Sequence, residues 1–220
     1  MANTVHTESN SVWMVFFMWK LIKLFIVLLL VLGVLYIYAA YKNKQLLSDQ
    51  IIRLHVVADS NNPEDQRVKL MVRDEVLKMI ETIKEEAPSK EEALQLLQEK
   101  LPELQQAANR VLSEAGKQCK AVVTLLKEEF PTRYYDTFAL PAGIYDALRI
   151  SIGSGEGQNW WCVVFPDLCS NAAKADVEDA AIEAGLTSGL SKTLTRETGY
   201  EVRFWLLDCI GKIENFLRKS

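Results

Sequence analysis

The apolar and polar residues of this chain change pattern at about residue 42. Residues 24–41 are 18 residues without a charge, with lysines at 20 and 23 before them and at 42 and 44 after them. A run of this length is near the lower limit for a helix that crosses about 30 Å of hydrocarbon. A helix of a soluble domain needs a polar face, and this run has none. The pattern therefore predicts a transmembrane or signal-anchor helix.

The flanks of this helix divide the chain into three parts. Residues 1–23 are expected to be cytoplasmic or interfacial, because Trp13 and Trp19 suit a membrane interface. Residues 24–41 form the membrane helix, and residues 42–220 form one extracytoplasmic domain. The small residues Ala39 and Ala40 offer a cleavage site, but a bulky residue three positions earlier favours an uncleaved anchor. The lysines are symmetric, so the N-terminus is placed inside only because the arrangement resembles an export signal.

In the first half of the domain, apolar residues recur every two positions in one segment and every three to four positions in two others. Residues 51–58 alternate as a strand, with Arg53 and His55 on one face. Asn62 and Pro63 begin a helix that we expect to continue to about residue 87. A capping box at residues 89–92 begins a second helix, which should end at Gly116 and be kinked or split by Pro102.

The second half of the domain is richer in strands. Strands are predicted at residues 121–127, 144–152 and 160–165, and an irregular aromatic connection at residues 130–136. Three glycines between residues 153 and 159 predict a hairpin turn joining the last two strands. Residues 174–195 have weaker helical signals, and residues 200–217 predict a short strand followed by a helix. The fold class is therefore α+β, with antiparallel strands packed against two to three helices.

Charge and cysteine spacing exclude several functions. From Lys42 onward there are 23 basic and 28 acidic residues, a balance that argues against a nucleic-acid partner. The cysteines stand at 119, 162, 169 and 209 without a C-x-x-C pair, and His55 is the single histidine of the domain. We therefore predict no metal site and no cofactor. A Cys162–Cys169 disulfide and two buried free thiols remain alternatives, decided by the compartment.

The sequence gives weak evidence for a phosphate-binding or catalytic site and stronger evidence for residues that contact a partner. The glycine-rich loop is followed by a strand instead of a helix, so it does not fit a phosphate-binding loop. His55 with Asp59 as its orienting carboxylate and Cys162 as nucleophile would form a catalytic set, but a structural histidine is favoured. Trp160 and Trp161 should point to opposite faces, one packed inside and one outward as a partner contact. The predicted contact residues are Arg53, His55, Asn159, Trp160 and Trp161.

The chain resembles the stage II sporulation protein R family of endospore-forming bacteria. The matching segments are IIRLHVVADS at 51–60, PEDQ at 63–66, KLMVRD at 69–74, LPAGIYDALRI at 140–150 and GQNWWCVVFPDLC at 157–169. One departure is Asp167, where the family more often has a second proline. No role is transferred onto residues 174–220, where the family varies.

This resemblance implies a signalling function. Such proteins are made in the forespore and cross its membrane. In the space between forespore and mother cell they activate a membrane-embedded aspartic protease of the mother cell, which then processes the pro-form of the early mother-cell sigma factor. The chain would be an activator with no catalysis and no small-molecule substrate of its own. The alternatives are a cell-envelope-binding structural module and an envelope hydrolase that uses His55 and Cys162.

Overall fold

A computed structural model describes residues 4–134, 139–165 and Cys209. The helices are α1 (Thr4–Gln50), α2 (Pro63–Glu86) and α3 (Lys90–Glu114). The strands are β1 (Ile52–Val57), β2 (Ala121–Phe130), β3 (Arg133–Tyr134), β4 (Ala139–Leu140), β5 (Gly143–Ile152) and β6 (Asn159–Phe165). The α+β class is confirmed. The elements predicted within residues 174–217 lie outside the described residues.

Helix α1 is longer than the predicted apolar run. Its segment Phe16–Gln50 is long and apolar enough to cross a membrane, since an 18-residue window within it has a mean hydropathy of 2.7 and no buried residue. Such a helix near the N-terminus fits either an anchor or an export signal. The contacts divide the chain into two compact units, Met1–Lys42 and Asn43–Ser220.

The second unit begins with the last turns of α1. Leu47 is fully buried there, and the Ser48 carbonyl accepts a hydrogen bond from Lys90 Nζ at 3.2 Å. The same ammonium group lies 2.6 Å from the carboxylate of Asp146 on β5. This ion pair is largely shielded from water and connects α3 to the sheet and to the end of α1.

A four-stranded mixed sheet forms the centre of this unit, in the order β2-β5-β1-β6. Strand β5 is antiparallel to β2 but parallel to β1, and β1 is antiparallel to β6. The predicted hairpin of β5 and β6 is therefore wrong, because β1 lies between them. Every residue of β1 is buried. A strand in the interior of a sheet can have the side chains of both its faces shielded from water.

The loop between β5 and β6 crosses the end of β1 instead of making a hairpin turn. Gly157 N donates to the Ala58 carbonyl at 2.9 Å, and Ser154 N donates to Asp59 Oδ1 at 2.7 Å. A Cβ atom at Gly157 would lie 2.4 Å from the Ser60 carbonyl oxygen. The glycine is thus required by the close approach of two backbones.

Helices α2 and α3 cover one face of the sheet. Asn62 Oδ1 accepts from Glu64 N at the start of α2, and the Ser89 side chain accepts from Glu92 N at the start of α3. Both caps match the predicted ones. Helix α3 passes through Pro102 without a break, so the predicted split does not occur.

The main core lies between these helices and the sheet. Its strand residues come from alternate positions, which share one face. They include Leu54 and Val56 of β1, Leu148 and Ile150 of β5, and Cys162 and Val164 of β6. The helical side is formed mainly by Val68, Val72, Val76, Ile80, Leu97, Leu104, Ala108 and Leu112.

Candidate functional site

The other face of the sheet brings together three of the five predicted contact residues. His55 of β1 is opposite Trp161 of β6 and Arg149 of β5, and Arg53 is two residues before it on the same face. Arg53 and His55 are both buried, with 0% and 4% of their surface exposed. Alternation along β1 thus places a guanidinium and an imidazole on the face opposite the helices.

His55 is held between an aromatic ring and a carboxylate. Its ring stacks on Trp161 with the centroids 4.0 Å apart and the planes 16° from parallel. Its Nδ1 atom lies 3.2 Å from Glu128 Oε2 on β2. The second oxygen of Glu128 accepts from Arg149 Nη1 at 2.7 Å. The carboxylate that orients His55 is therefore Glu128, and the predicted partner, Asp59, instead binds the backbone of Ser154.

The charge on Glu128 is favoured by these neighbours. Burial alone would raise the pKa of this carboxyl group. The hydrogen bonds and the electrostatic attraction from His55 and Arg149 outweigh burial, so that the pKa of Glu128 lies below its usual value. Glu128 is consequently an anion at neutral pH and is already engaged by two groups of the domain.

Arg53 belongs to the same cluster of side chains, which includes His55, Glu128, Arg149 and Trp161, and is fully buried. Its guanidinium carbon is 4.1 Å from the centroid of Phe130 and 5.0 Å from that of Tyr145. The Tyr145 hydroxyl donates to the Pro141 carbonyl at 2.7 Å. Phe130 also meets Trp161 edge to face, with the ring centroids 5.0 Å apart. Because Arg53 has no exposed surface, it contacts the surrounding rings and offers no surface of its own to a partner.

Arg133, which sequence reasoning missed, covers the other side of Trp161. Its guanidinium carbon lies 4.7 Å from the Trp161 ring, so that the indole is sandwiched between Arg133 and His55. The short ladder of β3 and β4 positions it, supported by a hydrogen bond from Ala142 N to the Thr132 hydroxyl at 3.1 Å. The sequence placed Arg133 in an irregular connection, and no local pattern linked it to residue 161.

Trp160 is separated from this cluster. It packs against the helix-covered core and lies under the guanidinium of Arg73 on α2, 4.8 Å from ring centroid to carbon. The two tryptophans do point to opposite faces, as their adjacency requires. Trp160 packs against the core, as expected of the inward residue, but both side chains are half-buried, so Trp161 is only partly exposed. Asn159 is exposed at the start of β6.

Cys162 cannot serve as a nucleophile beside His55. Its side chain belongs to the helix-covered core, whereas His55 is on the opposite face. It is also disulfide-bonded, while Cys119 and Cys209 are free thiols. Burial raises the pKa of Cys119, and the nearby carboxylate of Asp59 acts in the same direction. Cys169 lies outside the described residues, so its pairing with Cys162 stays a prediction.

The cluster offers contacts more than chemistry. Within residues 4–134 and 139–165, no group of three or more His, Cys, Asp or Glu side chains is arranged to hold a metal ion. What this face presents is a tryptophan, Trp161, in contact with the guanidinium group of Arg133 and the imidazole ring of His55. Tryptophan and arginine are the side chains most enriched at the energetic centres of protein interfaces.

Comparison with known proteins places these residues in a family. The family described as stage II sporulation protein R matches residues 48–175, a range that contains β1 to β6 and every residue of the cluster. The stage II sporulation protein R of Bacillus subtilis (strain 168) is 34% identical over 185 residues, which cover 76% of this chain and 83% of the relative. No solved structure matches the chain. On these grounds the chain belongs to the stage II sporulation protein R family.

Proposed function

We propose that this chain is a sporulation signal that activates a membrane-embedded aspartic protease of the mother cell. Activation would lead to processing of the pro-form of the early mother-cell sigma factor. The observation that carries the proposal is membership of the stage II sporulation protein R family across the whole sheet domain. The chain itself is an activator and performs no catalysis.

Two features support an extracytoplasmic position for the domain. Helix α1 is long and apolar enough to anchor or export it. Cys162 is in the disulfide-bonded form, and disulfides persist in oxidising compartments outside the cytoplasm. We therefore propose that residues 1–23 stay on the forespore side, that residues 24–41 enter the membrane, and that residues 42–220 occupy the space between the two cells.

Activation through contact requires a surface that distinguishes two states of the protease. A ligand shifts a conformational equilibrium only by binding one state more tightly than the other. We place that surface on the sheet face that carries Trp161, with Asn159 at its rim. His55 and Arg53 hold Trp161 and its neighbours in position. Trp160 belongs to the helix-covered side and is assigned to stability.

Reconstitution in a non-sporulating bacterium tests this function. The full chain would be expressed with the protease and the pro-sigma substrate, and the substrate followed by immunoblot. We expect processing that requires this chain and is lost when residues 1–41 are deleted. Equal processing after that deletion would contradict the extracytoplasmic position. No processing with all three proteins folded would overturn the activator role and leave the envelope-binding module.

A further inference from the structure

The sandwich of Arg133, Trp161 and His55 contains polar atoms whose hydrogen bonds are not made. His55 Nε2 is buried and, among the residues that the structure describes, has no hydrogen-bond partner. The same holds for Arg133 Nε within the described ranges. A buried polar atom that lacks a partner costs free energy, and native proteins keep few of them. Both atoms belong to side chains that contact the indole of Trp161, so this part of the sheet face has hydrogen-bonding capacity that the described residues do not use.

The geometry of Arg133 specifies the chemistry of that partner. A guanidinium that lies over an aromatic ring keeps its N–H groups in the plane of the fork, where they can bind both oxygens of a carboxylate. The face of the guanidinium is already occupied by Trp161 at 4.7 Å. Because Arg133 and Trp161 are both half-buried, each also retains surface that a partner can reach.

The charges around the site favour an acidic occupant. From Lys42 onward the chain has 28 acidic and 23 basic residues, so the domain as a whole carries a net negative charge. On this face, Glu128 forms an ion pair with Arg149 and a hydrogen bond with His55, so both of its carboxylate oxygens are engaged. Arg133 is therefore a local positive centre on a domain of negative charge, an arrangement that steers an acidic group to one place.

We propose that Arg133, supported by Trp161, binds a carboxylate of an acidic segment of the partner protein. The segment supplies an aspartate or glutamate to the guanidinium fork, and its neighbouring residues cover the exposed part of the indole. This identification rests on the proposed function, since the partner is the protease that the domain activates. It adds the residue that recognises the partner, Arg133, and the chemical group that is recognised, a carboxylate.

A binding measurement tests the site without the protease. The full chain in detergent micelles, labelled with ¹⁵N at tryptophan, would be titrated with an octaglutamate peptide while the indole N–H signals are followed by NMR. The Trp161 signal is identified by its absence in Trp161→Phe. We expect a saturable shift of this signal. Arg133→Ala should weaken binding by at least about tenfold, because the carboxylate loses its charged partner. Arg133→Lys should restore part of the affinity, since it keeps the charge without the fork.

The matched control is Arg110→Ala. Arg110 is an exposed arginine on α3 that pairs with Glu75 at 2.7 Å, so its loss should leave octaglutamate binding unchanged. No shift of the Trp161 signal, or equal binding by Arg133→Ala and the parent chain, would overturn the site. Inorganic phosphate binding as tightly as octaglutamate would overturn the assignment to a protein carboxylate.

The processing assay separates this inference from the proposed function. We expect Arg133→Glu to abolish processing and Arg110→Glu to leave it intact. Substitution of an acidic residue of the protease by lysine should restore processing with Arg133→Glu. Full processing by Arg133→Glu would refute the role of Arg133 while the activator function stands. Octaglutamate binding at Arg133 without any processing by the parent chain would refute the activator function while the acidic-segment site stands.

Discussion

The two faces of the central sheet use the same strands for different purposes. The face under α2 and α3 is aliphatic, and Leu54, Val56 and Leu148 are fully buried there. The opposite face has the linked polar side chains of His55, Glu128 and Arg149, and Arg53 lies against the ring of Phe130. Burial of aliphatic side chains is the main source of stability, whereas buried ion pairs add little net stability to a fold. The face opposite the helices therefore adds less to stability, which agrees with the contact role that we propose for it.

The largest effect is expected in the helix-covered core. Leu54→Ala should lower the free energy of unfolding by about 2–5 kcal/mol, because it removes buried methyl groups and leaves a cavity. Thermal or urea unfolding of the full chain in detergent measures this. The matched control is Leu126→Ala on the opposite face, where the leucine is 38% exposed and the loss should be much smaller. Equal losses of unfolding free energy at both positions would contradict the proposed difference between the two faces.

The adjacent tryptophans give the sharpest functional comparison. Trp160→Ala and Trp161→Ala remove side chains of the same size and similar burial, so each should cost about 1–3 kcal/mol of stability. Only Trp161→Ala should abolish processing of the pro-sigma substrate, because only Trp161 contacts Arg133 and His55. The measurement combines unfolding with the processing immunoblot at a temperature where both variants are folded. Loss of processing in Trp160→Ala alone would move the contact to the other face.

Lowering the pH should remove the stability that Glu128 contributes on the sheet face opposite the helices. The pKa of this carboxyl group is lowered in the folded chain, so its ionised form favours folding above about pH 4.5. That contribution is lost as the pH falls from there through the lowered folded value. Glu128→Gln should therefore be less stable than the parent chain at neutral pH and should lose less stability on acidification. Asp146, whose pKa is also lowered, remains in both proteins as a common background. Parallel pH profiles would contradict this role of Glu128.

The smallest effect is expected at the open end of the second face. Val122 of β2 is 53% exposed, and Val122→Thr keeps its branched shape, which suits a strand. We expect a change in unfolding free energy below about 0.5 kcal/mol and unchanged processing. A larger loss of stability would show that this end of the face is covered, and a loss of processing would extend the contact surface to β2.

Local signals predicted the elements well and their arrangement poorly. Helices α2 and α3 begin at the expected caps because Asn62 and Ser89 act on amides two or three residues away. The glycine-rich loop, by contrast, was wrongly predicted as a hairpin turn, because the composition of a loop does not determine which strands pair. Insertion of β1 between β5 and β6 depends on contacts that are distant in sequence.

The candidate site divides in the same way. Alternation along β1 was sufficient to place Arg53 and His55 on one face, and adjacency was sufficient to send Trp160 and Trp161 to opposite faces. Glu128 and Arg133 were missed because they are 73 and 28 positions from the residues they contact, His55 and Trp161. Neither belongs to a short motif that could have linked it to the site.

By itself, the sequence determined the apolar N-terminal helix, the positions of most strands and helices, and the resemblance that named the family. These follow from side-chain periodicity and local hydrogen bonds, which act over a few residues. Only the tertiary structure decided the strand order, and with it the sandwich of Arg133, Trp161 and His55. Backbone ladders form between any two strands, so their pairing is selected by how completely the whole sheet buries its apolar residues.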